Sequence, residues 1–336
     1  MTSTSLDGLT FAQFIATFRV NRSLYLYRSS GNAFHGLIGN ALSQVEFKAD
    51  NSDCRNCPIR SECRYENLYT YFIITPFDHP FVRDESLPPE MKRDKYPTPY
   101  FFIPPGGGQY TPGHHIVLNF TLIGKAIECF PFFACALKRI RSLKFGQSSG
   151  IIALDSIYDA RRNRQGKNTK LYDSETGFTE SPCQVLDFNE IFQRITTDPI
   201  LDEGISRIKT TFVSPFQFRN RNRLGKDFSF QLLIRSILRR MTLLSVHSPF
   251  HWNVDFRYVM NKASDIEISG SSMEWIDYYY KPSNRNQKMK VGGFIGEVEF
   301  SGDLTEFLPY LTMGEYLHVG KKTSYGLGKY NIEVLN

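Results

Sequence analysis

From Thr10 to Val20 apolar and polar side chains alternate around Phe11, Phe14, Ile15 and Phe18, and the pattern runs on to Leu24 and Leu26. A period of two places alternate side chains on opposite faces of a strand, so this stretch predicts the first strand or strand pair. Beyond Gly31 the period lengthens. Leu37, Ile38, Ala41, Leu42 and Val45 recur at helical spacing, with Ser29, Ser30 or Asn32 as candidate caps. A polar excursion carrying three cysteines follows, from Lys48 to Arg64. Tyr69 to Thr75 then predicts a strand, and the proline- and charge-rich Asp78 to Pro112 predicts loop around a short aromatic run, Tyr100 to Ile103. His114 to Ile123 predicts a strand, Glu128 to Leu143 a helix with Phe132, Phe133, Ala136, Leu137 and Ile140 on its apolar face, and Ile151 to Tyr158 another strand. Ala160 to Pro182, basic and polar, predicts an exposed hairpin or loop.

The order so far is β-α-β-β-α-β, the ferredoxin-like arrangement, and the second half repeats it. Ile205 to Phe218 predicts a long strand. Lys226 to His247 predicts a helix with Leu232, Leu233, Ile237, Leu238, Met241 and Leu244 inside. Glu274 to Tyr280 and Val291 to Phe300 predict a strand pair, Asp303 to Leu311 a short helix, and Tyr330 to Leu335 the last strand. Gly124 to Pro131 follows one strand as Gly302 to Pro309 follows another, and the Phe145 to Gly150 loop stands where Val319 to Gly326 stands in the second half. An internal duplication governs the fold reading. The class is α+β: two ferredoxin-like (RRM-like) domains in tandem. The first is residues 1–200 with a Cys-bearing insertion near 48–64, and the second is residues 201–336 with a glycine-rich loop at 317–329.

Composition narrows the class of partner. The 336 residues are 41% apolar and 22% charged, as in a folded soluble chain. The net charge of +6 and pI near 8.9 suit a polyanionic partner. Met1 to Leu9 is polar and lacks the apolar core of a secretory signal. No run approaches the roughly 18 apolar residues that a membrane helix needs. Six irregularly spaced cysteines do not form a secreted disulfide pattern. A cytoplasmic protein with no membrane partner is expected.

The densest chemistry lies at the C-terminus, from Leu317 to Tyr330, where three glycines, Lys321, Lys322, Thr323, Ser324, Tyr325 and Lys329 share one loop. Glycines let backbone N–H groups approach a ligand, and with the lysines they make a seat for phosphate. The other reading is a tight connection before the last strand. The loop carries neither a GxxxxGK[ST] nor a GxGxxG run.

Three stretches together resemble the CRISPR-associated endoribonucleases that process precursor crRNA, within the RAMP superfamily. They are Gly31 to Leu42 with its Gly-x-x-x-His-Gly run; Thr111-Pro112-Gly113 through Leu122 to Ala126 and on to Phe130-Pro131-Phe132; and Gly314 to Tyr330. The resemblance spans essentially the whole chain. It implies paired ferredoxin-like domains and metal-independent cleavage within CRISPR repeat RNA, with products ending in a 2′,3′-cyclic phosphate and a 5′-OH. It implies a histidine near the first helix as acid/base residue, and His35 holds that position. An imidazole with an ordinary pKa near 6.5 suits proton transfer at neutral pH. The alternative role for His35 is RNA contact without catalysis. Tyr25, Tyr27, Arg28 and Lys48 stand close enough in sequence for orienting and charge-stabilising roles, and Tyr27 and Lys48 complete the expected catalytic set.

RNA contacts are expected from Gly320, Lys321, Lys322, Thr323, Ser324, Tyr325, Gly326 and Gly328, from Arg219, Arg221, Arg223 and Lys226 ahead of the second long helix, and from Arg235 and Arg239, four apart on one helix face. Tyr278, Tyr279 and Tyr280 offer rings either to unpaired bases or to the core. Cys54-x2-Cys57-x5-Cys63 supplies three soft ligands for a structural Zn or iron–sulfur cluster, or forms a metal-free loop; catalysis needs no cofactor. The expected partners are repeat RNA and precursor crRNA, with CRISPR effector subunits beside them. The competing function is a non-catalytic RAMP subunit that holds crRNA in an effector complex.

Overall fold

In the computed structural model, which describes residues 8–27, 30–45, 64–85, 87–145, 148–163, 165–179, 183–197, 204–220, 223–224, 228–248, 254–280 and 289–335, the opening alternation becomes a strand, Thr10–Arg22. It buries Phe11, Ala12, Phe14, Ala16, Phe18 and Val20 and leaves Gln13, Ile15 and Thr17 half-buried on the other face. This strand lies between His115–Ile123 and Ser148–Arg162 and runs antiparallel to both, and Tyr100–Ile103 pairs antiparallel with His115–Ile123. Numbered by their place in the βαββαβ order, the strands stand 2-3-1-4. Helix Gly31–Val45, burying Phe34, Ile38, Ala41 and Leu42, packs with helix Phe130–Arg139. The core between helices and sheet is aromatic: Phe14 stacks on Phe120 at 4.9 Å and on Phe130 at 4.7 Å. Past Arg162 the chain returns in Asn168–Asp173 and Gly177–Phe178, the hairpin expected of the basic segment.

The second unit repeats this plan. Arg207–Phe216 is central, antiparallel to Met289–Ser301 on one side and Tyr330–Val334 on the other. Glu267–Ser271 and Glu274–Tyr280 both pair with Met289–Ser301. The crossover helices are Phe230–Leu244 and Leu308–Leu317. The fold is therefore α+β with antiparallel sheets and two ferredoxin-like units.

The chain divides into Thr10–Val185 with Val246–Ser248, and Met1–Leu9 with Leu186–Ser245 and Pro249–Asn336. The boundary drawn at residue 200 thus moves back. Helix Phe188–Thr196 belongs to the second unit; Asp187 caps it by accepting from the Asn189 N–H, and the Phe188 N–H donates to Leu9 O. Three local expectations also change. Tyr69 to Thr75 is not a strand but the end of helix Arg64–Ile73, because Tyr71, Phe72 and Thr75 are buried at helical spacing, which overrides the β preference of Tyr, Thr and Ile. The helix expected over Glu128 to Leu143 is a turn, Lys125–Glu128, then Phe130–Arg139 restarted at Pro131, and Ser142–Phe145 is a strand. Asp303 to Leu311 resolves into a short 3₁₀ turn, Thr305–Phe307, and the longer helix Leu308–Leu317.

Val246–Ser248 fastens the first unit internally. The His247 Nε2–H donates to Pro97 O at 2.8 Å, a tautomer assigned from its partners, and Nδ1 accepts from the Tyr71 hydroxyl at 3.1 Å. Burial drives the Tyr71 phenol well above its ordinary range, so it stays a donor. Gly124, at φ 52, lets His247 O come closer than any Cβ would permit. His247 is thus structural. Tyr71→Phe removes the hydroxyl that donates to Nδ1 and is expected to cost about 1–3 kcal/mol. His247→Ala also removes a packed ring and is expected to cost more, about 2–4 kcal/mol. Denaturant unfolding of the two variants measures both losses, and unchanged midpoints would show that this anchor holds nothing.

Candidate functional site

In the first unit the residues before the helix Gly31–Val45 gather at one end of the fold. Strand Leu24–Leu26 pairs with Gly108–Tyr110 and carries Tyr25 outward, with Tyr27 just beyond. These two rings are about half exposed and meet edge to face at 5.1 Å. The Tyr25 N–H donates to Ser148 Oγ at 2.8 Å. Gly150 admits Leu24 and Arg22 O to distances that a Cβ would block, 2.7 and 2.8 Å from its ideal position. The Phe145 to Gly150 loop noted in the sequence thus ends beside Tyr25, a proximity across 123 residues. The chain then turns, with the Ser30 N–H donating to Tyr27 O. His35 follows one turn into the helix, half-buried, its ring stacked on Tyr100 at 6.4 Å and 17°.

The other histidines separate by role. His114 is exposed and hydrogen-bonds Thr111, while His115 is exposed directly across the ladder from Arg19. His79 is buried, stacked on Tyr71, with Nδ1 accepting from the Phe81 N–H. Arg28 and Lys48 lie outside the described residues, as do Cys54, Cys57 and Cys63. Among the described residues no group of three His, Cys, Asp or Glu side chains is placed to hold a metal. Cys129, Cys135 and Cys183 are half-buried thiols, and burial pushes Cys129 up to about 11. Among the described residues no helix is long and apolar enough to cross a membrane.

In the second unit the glycine-rich loop is closely folded on itself. Helix Leu308–Leu317 ends at His318, in the left-handed region at φ 56. The Val319 N–H donates to Gly328 O, the Lys321 N–H to Gln217 O, the Gly328 N–H to Pro215 O, and the Lys329 N–H to Ser214 Oγ. The N–H groups of Tyr325, Gly326 and Leu327 close a 3₁₀ turn onto Lys322 and Thr323. Gly328 lies against Val319 O and Gly320 against Gln217 O, with no room for a Cβ at either place. Lys321 is exposed, Gly320, Lys322, Ser324 and Tyr325 are half-buried, and Thr323, Gly326 and Gly328 are buried.

Cationic groups lie under this loop. Arg240 is 7% exposed, donates from Nε to Leu317 O, and is lowered by burial to about 9. Lys329 donates to Glu315 O; burial lowers it and the Glu315 charge partly restores it. His318 is buried, and burial first, then Lys329 and Arg240, hold it well below 6.5 and so uncharged at neutral pH. Of the other basic residues, Arg235 is exposed and Arg239 half-buried on helix Phe230–Leu244. Arg219–Asn220 pairs with Arg223–Leu224 in a small hairpin, and Arg221 and Lys226 lie outside the described residues. The helix start is already capped by Ser229, whose Oγ accepts from the Leu232 N–H at 3.2 Å.

Comparison with known proteins adds sequence evidence to both units. A family model described as CRISPR-associated endoribonuclease Cas6 matches residues 210–330, and one described as an N-terminal domain matches residues 9–184. An uncharacterised protein of Archaeoglobus fulgidus is 24% identical over 307 residues, covering 90% of this chain and 91% of that one. Among solved structures, a partial Cas6-RT-Cas1–Cas2 complex is similar with a TM-score of 0.59 and 13% identity, over 97% of this chain and 46% of that chain. The chain thus spans about half the length of that relative. Thermus thermophilus Cas6 is similar with a TM-score of 0.53 and 15% identity, over 97% of this chain and 99% of that one. At these identities the likeness is one of fold.

Two expected outcomes follow from the loop. A folded His318 pKa below 6.5 means that the unfolded chain takes up a proton which the folded chain refuses. Stability is therefore complete above about pH 6.5 and declines below it, by at most about 1.4 kcal/mol per pH unit. His318→Asn, which removes the imidazole, is expected to flatten thermal stability between about pH 6.5 and 5, and an unchanged slope would place the titration elsewhere. Gly328→Ala, with φ 78 and Val319 O in the way, is expected to lower the unfolding free energy, measured by denaturant titration, by more than the ~1 kcal/mol typical of a point change.

Proposed function

We propose that this chain, whose residues 210–330 match the family model of the CRISPR-associated endoribonuclease Cas6, is a member of that family and cleaves precursor crRNA within the repeat by attack of the RNA's own 2′-hydroxyl. His35 carries the reading. It is a half-buried imidazole one turn into the helix that follows the first central strand, its ring stacked on Tyr100.

The chemistry is a transesterification. The 2′-oxygen gives up its proton and bonds to phosphorus, the bond from phosphorus to the 5′-oxygen breaks, and that oxygen takes a proton. The products carry a 2′,3′-cyclic phosphate and a 5′-OH. A base, an acid and stabilisation of the phosphate charge are enough, so no metal ion enters the proposal. His35 serves as the acid or base. Tyr27 and Lys48 are assigned orienting and charge-stabilising roles, and Lys321, Lys322, Tyr325, Arg235 and Arg239 are assigned to RNA contact. The proposed partners are repeat RNA and, from the likeness to an assembly with Cas1 and Cas2, other CRISPR proteins.

Cleavage of the host's repeat RNA in excess EDTA tests this reading, with wild type beside His35→Ala. Wild type is expected to give a cyclic phosphate end, and the variant to lose about 10²–10⁴ in rate while binding is kept. Tight binding without cleavage by wild type would overturn the enzyme and leave a crRNA-holding subunit. Cleavage unaffected by His35→Ala would move the acid/base role to another residue.

A further inference from the structure

The two units place a serine at the same point, just ahead of the first crossover helix. In the second unit Ser229 behaves as a cap: its Oγ accepts from the Leu232 N–H. In the first unit Ser30 has the cap position, since its carbonyl accepts from the N–H groups of Ala33 and Phe34. Yet Ser30 Oγ makes no hydrogen bond, although the residue is only 2% exposed. Two residues on, both Oδ1 and Nδ2 of Asn32 are shielded from solvent and likewise make none. Buried polar groups of folded proteins are nearly always satisfied, and each exception calls for an explanation. Here three such atoms sit at the start of one 15-residue helix, on its cap and second residues. Asn32 stands three residues before His35, which makes the two neighbours on the helix surface. Asn32 as a residue is half-buried, so a turn of its side chain would bring the carboxamide to the surface with the helix intact.

We propose that Asn32 and Ser30 are reserved for one nucleotide beside the cleaved bond: the Asn32 carboxamide pairs with the edge of its base, and Ser30 Oγ–H donates to its phosphate. The inference rests on the RNA-processing reading and deepens it. The chemistry selects the base. A carboxamide offers a donor and an acceptor side by side, and both are unmet here. A phosphate has only acceptors and would leave Oδ1 unsatisfied. A base edge offers a donor and an acceptor together, which is how Asn reads bases elsewhere. Ser30 Oγ stands where a helix N-terminus already favours an anion. Asn32 is thus a positioning and specificity residue, and His35 remains the proton-transfer group.

The test separates this role from a structural one. An atom without a protein partner contributes nothing to folding, so Asn32→Ala and Ser30→Ala are expected to keep or raise the thermal midpoint. The binding probe is repeat RNA made non-cleavable by a single 2′-deoxy substitution at the cut, in versions carrying each of the four bases on either side of it. Wild type is expected to prefer one base at one of these positions by about tenfold or more, and Asn32→Ala to weaken that RNA by about tenfold and level the preference. Single-turnover cleavage is expected to fall with the same base dependence and an unshifted pH profile. A lowered thermal midpoint in Asn32→Ala would overturn the proposal in favour of a structural role, as would a base preference that survives the substitution. Failure of wild type to cut any repeat would instead count against the catalytic reading, and the binding arm would still decide the role of Asn32.

Discussion

Each unit depends on a central strand with a partner on both sides. Thr10–Arg22 and Arg207–Phe216 have their hydrogen-bonding edges filled by the third and fourth strands of their own repeat. Once both edges are taken, the alternation decides everything on the faces. Phe14 and Phe18, or Ile208 and Phe212, must meet the helices, and a slip of one residue would turn every one of them to the other side. Both crossover helices then lie on the apolar face. In the first unit the chain must leave the strand end, turn, and start its helix at Gly31, one turn before His35. The site's position is a consequence of sheet order.

The same constraint explains the C-terminal loop. Gly328 and Lys329 bond back to Pro215 and Ser214, at the end of the central strand, and Lys321 bonds to Gln217 just past it. Glycine is needed at 320 and 328 because the carbonyls of Gln217 and Val319 lie where a side chain would stand. Those glycines are accounted for by packing of backbone on backbone. The lysines are a separate matter: a loop this closely bonded holds Lys321 and Lys322 in fixed places, over a layer that already contains Arg240 and Lys329. Keeping His318 neutral limits the charge buried there.

What could be read from the sequence follows from which forces are local. Periods of two and 3.6 reveal the central strands and crossover helices because burial on one face imposes them directly. Helix Arg64–Ile73 escaped because Tyr, Thr, Phe and Ile favour strands, and only the distant partners Tyr100 and Phe133 make a helix of them. Phe188–Thr196 and Phe256–Ser264 were signalled by caps, Asp187 and Asp255, which a search for long apolar runs passes over. Within the site, His35 was expected from the resemblance carried by Gly31 to Leu42, not from a local period. Tyr25 and Ser148 were not brought together by any local pattern, since register across 123 residues joins them.

Duplication of a fold does not duplicate its surfaces. On the second sheet's outer face Arg207 pairs with Glu299 and Lys209 with Glu333, and Glu297 and Glu267 add further negative charge. These exposed pairs contribute little stability, but they neutralise the cations that a polyanion would seek. On the first sheet Arg19 instead stands opposite His115 across the ladder. The helix starts diverge in the same direction. A side-chain cap is worth about 1 kcal/mol, and the second unit takes it through Ser229, while the first, with a serine in the same place, does not. Stability forgone at one copy of a repeated position, and only at the copy that carries His35, is what selection for a task other than folding leaves behind.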